Sequence, residues 1–279
     1  MVQAEGVSAR FRLLVVDVDG TLIGSSGEPS ARVGAAVRAA QAMGIRVALC
    51  TGRPLASVWP IVRSLQMHGA HVVFNGALVK DPEATSPVLF RPLPEEPARR
   101  VVDYCRANDL CLELYTEETH YVERDWEESR LHAISIRVTY EFGDFDDLLA
   151  RRQLVKAQII TRDDRARLSA QRLAADLGPA LGFSVAVPMY PCVACECVNV
   201  VDPTVSKGQA VRALIAHYGL SPADVVGAGD APNDLPVFAE VGYRVAMANG
   251  DQAVIEQADF VAPDVESDGL ADAIERLLL

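Results

Sequence analysis

Two aspartates one residue apart, Asp17 and Asp19, follow the apolar run Leu13-Leu14-Val15-Val16 and precede Gly20 and Thr21. Such a run reads as a strand buried on both faces, as in a parallel sheet covered by helices. Sheets of this kind bind ligands at the carboxyl ends of their strands. Side chains alternate along an extended strand, so Asp17 and Asp19 share a side only while it stays extended. Gly20 lets the chain turn sharply just after, so both carboxylates can converge on one place. Carboxylates that close repel each other unless a cation or a shared proton intervenes. From this stretch alone, a strand end capped by aspartates in a turn is an equal alternative.

Other strand ends carry polar groups too. Thr51-Gly52-Arg53-Pro54 follows an apolar strand and precedes a helix. A hydroxyl and a glycine at a helix N-terminus offer N–H groups and a positive dipole end to an anion. Taken alone, a tight turn with proline at the helix start is the simpler reading. Ser206 can cap a helix that begins at Lys207, and Gly229-Asp230-Ala231-Pro232-Asn233-Asp234 closes another strand. By themselves, Lys207 reads as a solvated helix-start lysine and Asp234 as an aspartate favoured by a helix dipole. If the first strand is central, the strands at 12–18 and 224–228 flank the switch point of a doubly wound sheet, and Asp17 meets Asp230 across it. Two carboxylates with a backbone carbonyl, waters and a phosphate oxygen make an octahedral oxygen site suited to magnesium.

The elements that must position these groups follow a pattern. Ser30 to Met43 predicts a helix, capped by Ser30, striped by Val33, Val37 and Ala40, and ended by Gly44. Ile45 to Cys50 predicts a strand, Leu55 to Leu65 a helix, and Val72 to Phe74 a third strand ending at Asn75-Gly76. Strand, helix, strand, helix, strand is a doubly wound α/β pattern. Asp81 to Pro97 holds Pro82, Pro87, Pro92, Pro94 and Pro97 and reads as a connection. Beyond it, helices are expected at 97–108, 148–153 and 164–177. Strands are expected at 111–115, 121–123, 135–140, 157–161, 183–187 and 196–201. This predicts an inserted α+β domain over a mostly antiparallel sheet. The doubly wound pattern resumes with a helix at 207–218, strands at 224–228, 243–247 and 260–261, and a closing helix at 271–278. The expected division is a Rossmann-like core, residues 1–81 and 198–279, with an inserted cap, residues 82–197.

Composition narrows the function classes. At 279 residues, half of them apolar, the chain can bury a substantial core and is not disordered. A net charge of -12 argues against a general nucleic-acid or anionic-membrane binder. Met1 to Gly6 lacks the features of a signal peptide, and no apolar stretch is long enough to span a bilayer, so a cytoplasmic location is expected. The six cysteines are then expected to be reduced thiols. Cys192, Cys195 and Cys197 suggest zinc, but a structural zinc wants four ligands, and a fourth would have to come from far away, such as His120. Packing as small buried side chains is the reading preferred here.

Together, Asp17-Val-Asp19-Gly-Thr21, Thr51-Gly52-Arg53, Ser206-Lys207-Gly208 and Gly229-Asp230-x-x-Asn233-Asp234 resemble the four ordered motifs of the haloacid dehalogenase superfamily. The insertion between the second and third motifs looks like the C2-type cap of its Cof-type phosphatases, subfamily IIB. The resemblance covers the whole chain. Weaker matches are Asn75-Gly76, Ala246-Met247-Ala248-Asn249 and Asp268-Gly269; Cys50 stands where the family often has alanine.

This resemblance implies a Mg²⁺-dependent phosphatase of small phosphorylated metabolites, sugar phosphates among them. Asp17 would attack phosphorus and form an aspartyl-phosphate. Asp19 would protonate the leaving oxygen and then take a proton from water. Thr51 and the Gly52 N–H would hold phosphoryl oxygens, with Asn233 near them. Lys207 would neutralise charge on Asp17 and on the phosphoryl group. Asp17, Asp230 and the Asp19 carbonyl would hold the metal, and Asp234 would ligate it, orient its water or orient Lys207. Arg53 is open between substrate contact and a structural ion pair. Tyr115, His120, Tyr121 and Arg137 are cap residues that could face the site. A phosphomutase, a narrowly specific sugar or osmolyte-precursor phosphatase, and a non-catalytic phosphometabolite-binding protein are the alternatives. No nucleic-acid or membrane partner is implied, and the oligomeric state is open.

Overall fold

All four residues of Leu13–Val16 (β1) are buried, as the unbroken apolar run requires. The computed structural model describes residues 11–151, 153–186 and 195–279. After β1 come α1 (Ala31–Ala42), whose cap Ser30 accepts from the Val33 N–H, then β2 (Arg46–Leu49), α2 (Leu55–Ser64) and β3 (His71–Val73). A hairpin-like stretch follows, β4 (Leu78–Lys80) and β5 (Leu89–Phe90). The inserted unit runs through α3 (Glu95–Asn108), β6 (Cys111–Tyr115), β7 (His120–Val122), α4 (Glu127–Ile136) and β8 (Tyr140–Phe142). It continues with α5 (Phe145–Arg151), β9 (Lys156–Thr161), α6 (Asp164–Leu177), β10 (Gly182–Ala186) and β11 (Glu196–Val201). The chain closes with α7 (Lys207–His217), β12 (Val225–Gly229), α8 (Leu235–Phe238), β13 (Tyr243–Met247), α9 (Gln252–Ile255), β14 (Phe260–Ala262) and α10 (Gly269–Leu277).

The main sheet is parallel, in the order β14-β13-β12-β1-β2. Alternation sorts its residues to two faces. Leu14, Val16, Val47, Leu49, Val226 and Val245 pack with α1, α2 and α10, whereas Leu13, Val15, Ala48 and Val225 pack with α7. This is the doubly wound arrangement, with chain order running outward in both directions from the β1/β12 pair. Among the described residues no helix is long and apolar enough to cross a membrane.

The inserted unit is a six-stranded mixed sheet, β10-β11-β9-β6-β7-β8, antiparallel except for the β7/β8 pair. Helices α3, α5 and α6 cover its apolar face, built from Leu112, Leu114, Ala157, Ile159, Val198 and Val200.

Two expectations need correction. The strand expected at 135–140 is instead the end of α4, with β8 starting at Tyr140. Helix α4 begins with Glu127 and Glu128, favoured by the dipole, and buries Ser129, His132, Ala133 and Ser135 rather than an apolar stripe. Hydrophobic periodicity has nothing to find there, and the β-branched residues after Arg137 mimic a strand. The proline-rich stretch from Asp81 is not a simple connection either. Its β5 joins β4 and β3 in a small antiparallel sheet, and β3 touches the main sheet through the bridge between Val72 and Cys50. Residue 187 of one expected strand and Cys192 lie outside the described residues.

Candidate active site

Parallel pairing of Val16 with Ala228, extended by the Asp17 N–H donating to the Ala228 carbonyl (2.9 Å), sets the ends of β1 and β12 side by side. Asp17 and Asp230 therefore leave the sheet at the same edge. Gly20 adopts φ +85°, and a Cβ there would stand 2.3 Å from Asp230 Oδ2, so only glycine lets the first loop close on the second. Thr21 Oγ1 donates to Asp230 Oδ1 (2.7 Å), and Asn249 Nδ2 donates to the Gly20 carbonyl (2.9 Å).

Lys207 is the hub. It opens α7 directly after the cap Ser206, whose hydroxyl accepts from the Gln209 N–H. Its Nζ donates to Asp17 Oδ1 (2.6 Å) and Asp234 Oδ1 (2.7 Å), and all three side chains are buried. Asp234 Oδ2 accepts from the Asp230 and Ala231 N–H groups, so one carboxylate fixes both the lysine and the loop. Asp17 Oδ2 accepts no hydrogen bond among the described residues.

Oxygens of Asp17, Asp230 and Asp234 lie within 4.8 Å of one another. One ammonium faces these three carboxylates. Burial pushes the Asp17 carboxyl well above the ordinary range; Lys207 opposes this, and Asp234 and Asp230 add to it. Burial likewise raises Asp230 to about 6, against the hydrogen bond from Thr21. Burial works against the charge on Lys207, yet Asp17 and Asp234 hold its pKa above the ordinary value. Excess negative charge on hard oxygen donors fits a divalent cation such as Mg²⁺, which would lower both raised carboxyls.

Asp19 lies apart from that cluster, about one-third exposed, gripped at both oxygens by Arg53 through Nε (2.8 Å) and Nη2 (2.6 Å). Sequence left Arg53 open between substrate and ion pair, and the structure shows the ion pair. Thr51 Oγ1 accepts from the Arg53 N–H (3.2 Å), leaving its own O–H to donate elsewhere. Among the described residues the Gly52 N–H meets no protein acceptor. The Thr51-to-Arg53 turn is laced to the Phe74-Asn75 turn by two backbone bonds, Asn75 N–H to Thr51 carbonyl and Phe74 N–H to Arg53 carbonyl, both 3.0 Å. Asn233 is exposed, and its Nδ2 donates to Asn75 Oδ1 (3.3 Å).

This chain belongs to the haloacid dehalogenase-like hydrolase family. Residues 14–274 match that family. Bacillus subtilis YxeH is 28% identical over 96% of this chain and 99% of its own length. The 5-amino-6-(5-phospho-D-ribitylamino)uracil phosphatase YwtE of Bacillus subtilis is 25% identical over 96% of this chain and 98% of its own. A crystal structure of a haloacid dehalogenase-like hydrolase from Bacteroides thetaiotaomicron superposes with a TM-score of 0.86 at 25% identity, covering 95% of this chain and 99% of that one.

The site of this family member also shows what sequence reasoning missed. Thr21 and Asn249 stood inside quoted motifs without a role, and each proves to fasten one loop to another. Asn75 followed a strand end, but only the fold shows that its side chain abuts Gly52 and bonds Asn233. Of the cap residues named from sequence, Tyr115 and His120 line a cleft with Pro54, Ala56 and Phe74 of the core. Tyr121 turns the other way, into the apolar layer under the helices. Arg137 pairs with Glu28 of the core at the surface. Cys195 and Cys197 pack with Cys111 and Ile160 against Trp126 and Leu131.

Proposed function

We propose that this hydrolase is a Mg²⁺-dependent phosphatase of small phosphorylated metabolites, working through an aspartyl-phosphate on Asp17. The observation that carries this reading is the buried Lys207, bonded at once to Asp17 and Asp234 beside Asp230. The named activity of the relative YwtE, a phosphatase, is consistent with it.

In this reading Asp17 Oδ2 attacks phosphorus while Lys207 neutralises Asp17 Oδ1 and the incoming phosphoryl group. Asp17, Asp230 and the Asp19 carbonyl would hold Mg²⁺, with Asp234 beside them, and the bound ion would supply charge neutralisation for the transferring group. Thr51 O–H, Gly52 N–H and Asn233 Nδ2 bind phosphoryl oxygens. As the bond to Asp17 forms, the P–O bond to the leaving group breaks and Asp19 gives that oxygen a proton; Asp19 then takes a proton from water, which attacks phosphorus and breaks the Asp17–P bond to free phosphate. Arg53 grips both oxygens of the ionised Asp19, so one of them leaves the guanidinium before it carries the proton. We assign residues 1–81 and 198–279 to the catalytic core and 82–197 to a cap that sets substrate choice.

Hydrolysis of 4-nitrophenyl phosphate tests the reading. Turnover is expected only with Mg²⁺, and single-turnover quenching is expected to trap phosphate on Asp17. Turnover that persists under full chelation, or in Asp17→Asn, overturns it.

A further inference from the structure

Asn75-Gly76, just after β3, stands beside the proposed phosphate position. Its backbone is uncommon. Phe74, Asn75 and Gly76 adopt φ of +53°, +57° and +104° in succession. Bulky residues such as phenylalanine are rarely held in this region, and residues so held gather at functional sites.

The turn touches three of the four motif loops. The Phe74 and Asn75 N–H groups donate to the Arg53 and Thr51 carbonyls. The Asn75 side chain lies against Gly52, where a Cβ would stand 2.9 Å from Oδ1 and 3.2 Å from Nδ2. Asn75 Oδ1 accepts from Asn233 Nδ2 (3.3 Å), on the loop that follows β12. On its other side, Gly76 rests on the start of α7. A Cβ there would meet the Ser206 carbonyl at 2.3 Å, one residue before Lys207. One short turn therefore fastens the Thr51 loop, the Asn233 loop and the Lys207 helix start to each other.

The Asn75 amide is only half used by these contacts. Its oxygen faces the Asn233 donor, so its NH2 lies on the other side of Cγ. Asn75 Nδ2 has no hydrogen-bond partner among the described residues, and the side chain is partly exposed. Next to it, the Gly52 N–H also meets no protein acceptor, and Asn233 Nδ2 keeps a second N–H. With the Thr51 O–H, these are neutral donors gathered at one place, which suits the oxygens of an anionic group.

We propose that Asn75 is a further phosphoryl-binding residue, donating from Nδ2 to an oxygen of the transferring group while Oδ1 holds Asn233 in position. The inference rests on the phosphatase reading above and adds a residue to its machinery. Charge in phosphoryl transfer is spread over the three oxygens that neither attack nor leave. Lys207 neutralises part of that charge. The neutral donors fix the rotation of the group, so that the leaving oxygen faces Asp19.

Two substitutions separate this role from a structural one. Asn75→Gly removes the amide and suits a positive φ. Asn75→Asp keeps the shape, the tolerance of positive φ and the oxygen that Asn233 uses, but sets a carboxylate oxygen in place of the NH2. If the amide only braces the loops, the aspartate variant is the better of the two. If its NH2 meets the phosphoryl group, the aspartate variant is the worse.

The measurements are kcat/KM on 4-nitrophenyl phosphate and the inhibition constant of inorganic phosphate, for the full-length protein with Mg²⁺. Asn75→Gly is expected to lower kcat/KM by about 10-fold and to raise the inhibition constant by a similar factor, the scale of one hydrogen bond to a charged group. Asn75→Asp is expected to lose at least about 10-fold more on both, through like-charge repulsion. An aspartate variant equal to or better than the glycine variant overturns the proposal. So does phosphate inhibition unchanged in Asn75→Gly, which decides the matter where Asn75→Asp fails to fold. If wild type does not hydrolyse 4-nitrophenyl phosphate at all, the phosphatase reading itself fails, and this inference falls with it.

Discussion

Two buried polar clusters in this molecule are built in opposite ways. At the end of the parallel sheet, Asp17, Asp230, Asp234 and Lys207 come from loops and a helix start, and the cation bonds two of the anions directly. In the inserted sheet, Glu113, Tyr115, His120, His132, Lys156 and Gln158 come from strand faces and from α4, and the cation bonds no anion among the described residues. The first cluster has more negative charge than its lysine balances, which suits a cation. The second holds its lysine on a neutral amide oxygen and an aromatic face. The contrast is one of charge: the first cluster has carboxylates in excess, whereas the second keeps its carboxylate and its ammonium on separate partners.

The hardest way to break the comparison is to remove the first cluster's cation. Lys207→Ala is expected to lower kcat on 4-nitrophenyl phosphate by at least about 10²-fold. It also leaves Asp17 and Asp234 buried without their partner, at a cost of about 3–5 kcal/mol in unfolding free energy. Urea melts read the second effect and steady-state rates the first. Near-normal turnover in a folded Lys207→Ala protein would remove the lysine from the mechanism.

Acid offers a second lever: two buried histidines outside the first cluster disfavour the fold as they protonate, whereas the raised carboxyls of Asp17 and Asp230 act in the opposite sense. Burial holds His71 and His120 down to about 4, against about 6.5 in an unfolded chain. Between those values the unfolded chain binds more protons, so stability is complete above about pH 6.5 and falls as pH drops toward 4. For His71 the loss amounts to about 3 kcal/mol. Its Nδ1 accepts from the Leu49 N–H (3.1 Å), which the protonated ring cannot do. Denaturant melts at pH 7 and pH 4.5 should show a shallower decline in His71→Asn. An equal decline would place the acid sensitivity elsewhere.

Divalent cation sharpens the comparison from the other side. Mg²⁺ at about 100 times its Kd should add about 2.7 kcal/mol, seen as a Tm rise of several degrees. Asp230→Asn should lose most of that rise, whereas Lys156→Met should keep it. A rise that survives in Asp230→Asn would move the cation away from the acidic cluster. The smallest expected effect is on the second cluster alone. Glu113→Gln gives up charge-assisted bonds from Tyr115 and His132 and should cost about 1–3 kcal/mol, with 4-nitrophenyl phosphate turnover within about twofold. A large fall in that turnover would tie the inserted sheet to the chemical step.

The two clusters also differ in how much of them could be read in advance. Asp17, Lys207, Asp230 and Asp234 each stand in a short motif at an element's end, and the doubly wound pattern dictates which ends meet. Apolar runs, Ser30, Ser206 and the glycines are local signals, so the main sheet, α1, α7 and the first cluster were legible in the sequence. Arg53 was visible but its partner was not, because the fork onto Asp19 depends on how two loops approach.

The second cluster has no such motif. Glu113, Tyr115, Lys156 and Gln158 read as scattered polar interruptions of strands, and α4 shows no apolar stripe to announce a helix. Their meeting depends on register: a slip of one residue between β6 and β9 would turn half of them to the apolar face. Local chemistry in the sequence thus determined the parallel core and the groups at its strand ends. Only the tertiary structure decided which buried polar side chains share a face, because strand pairing is a long-range choice that no single segment encodes.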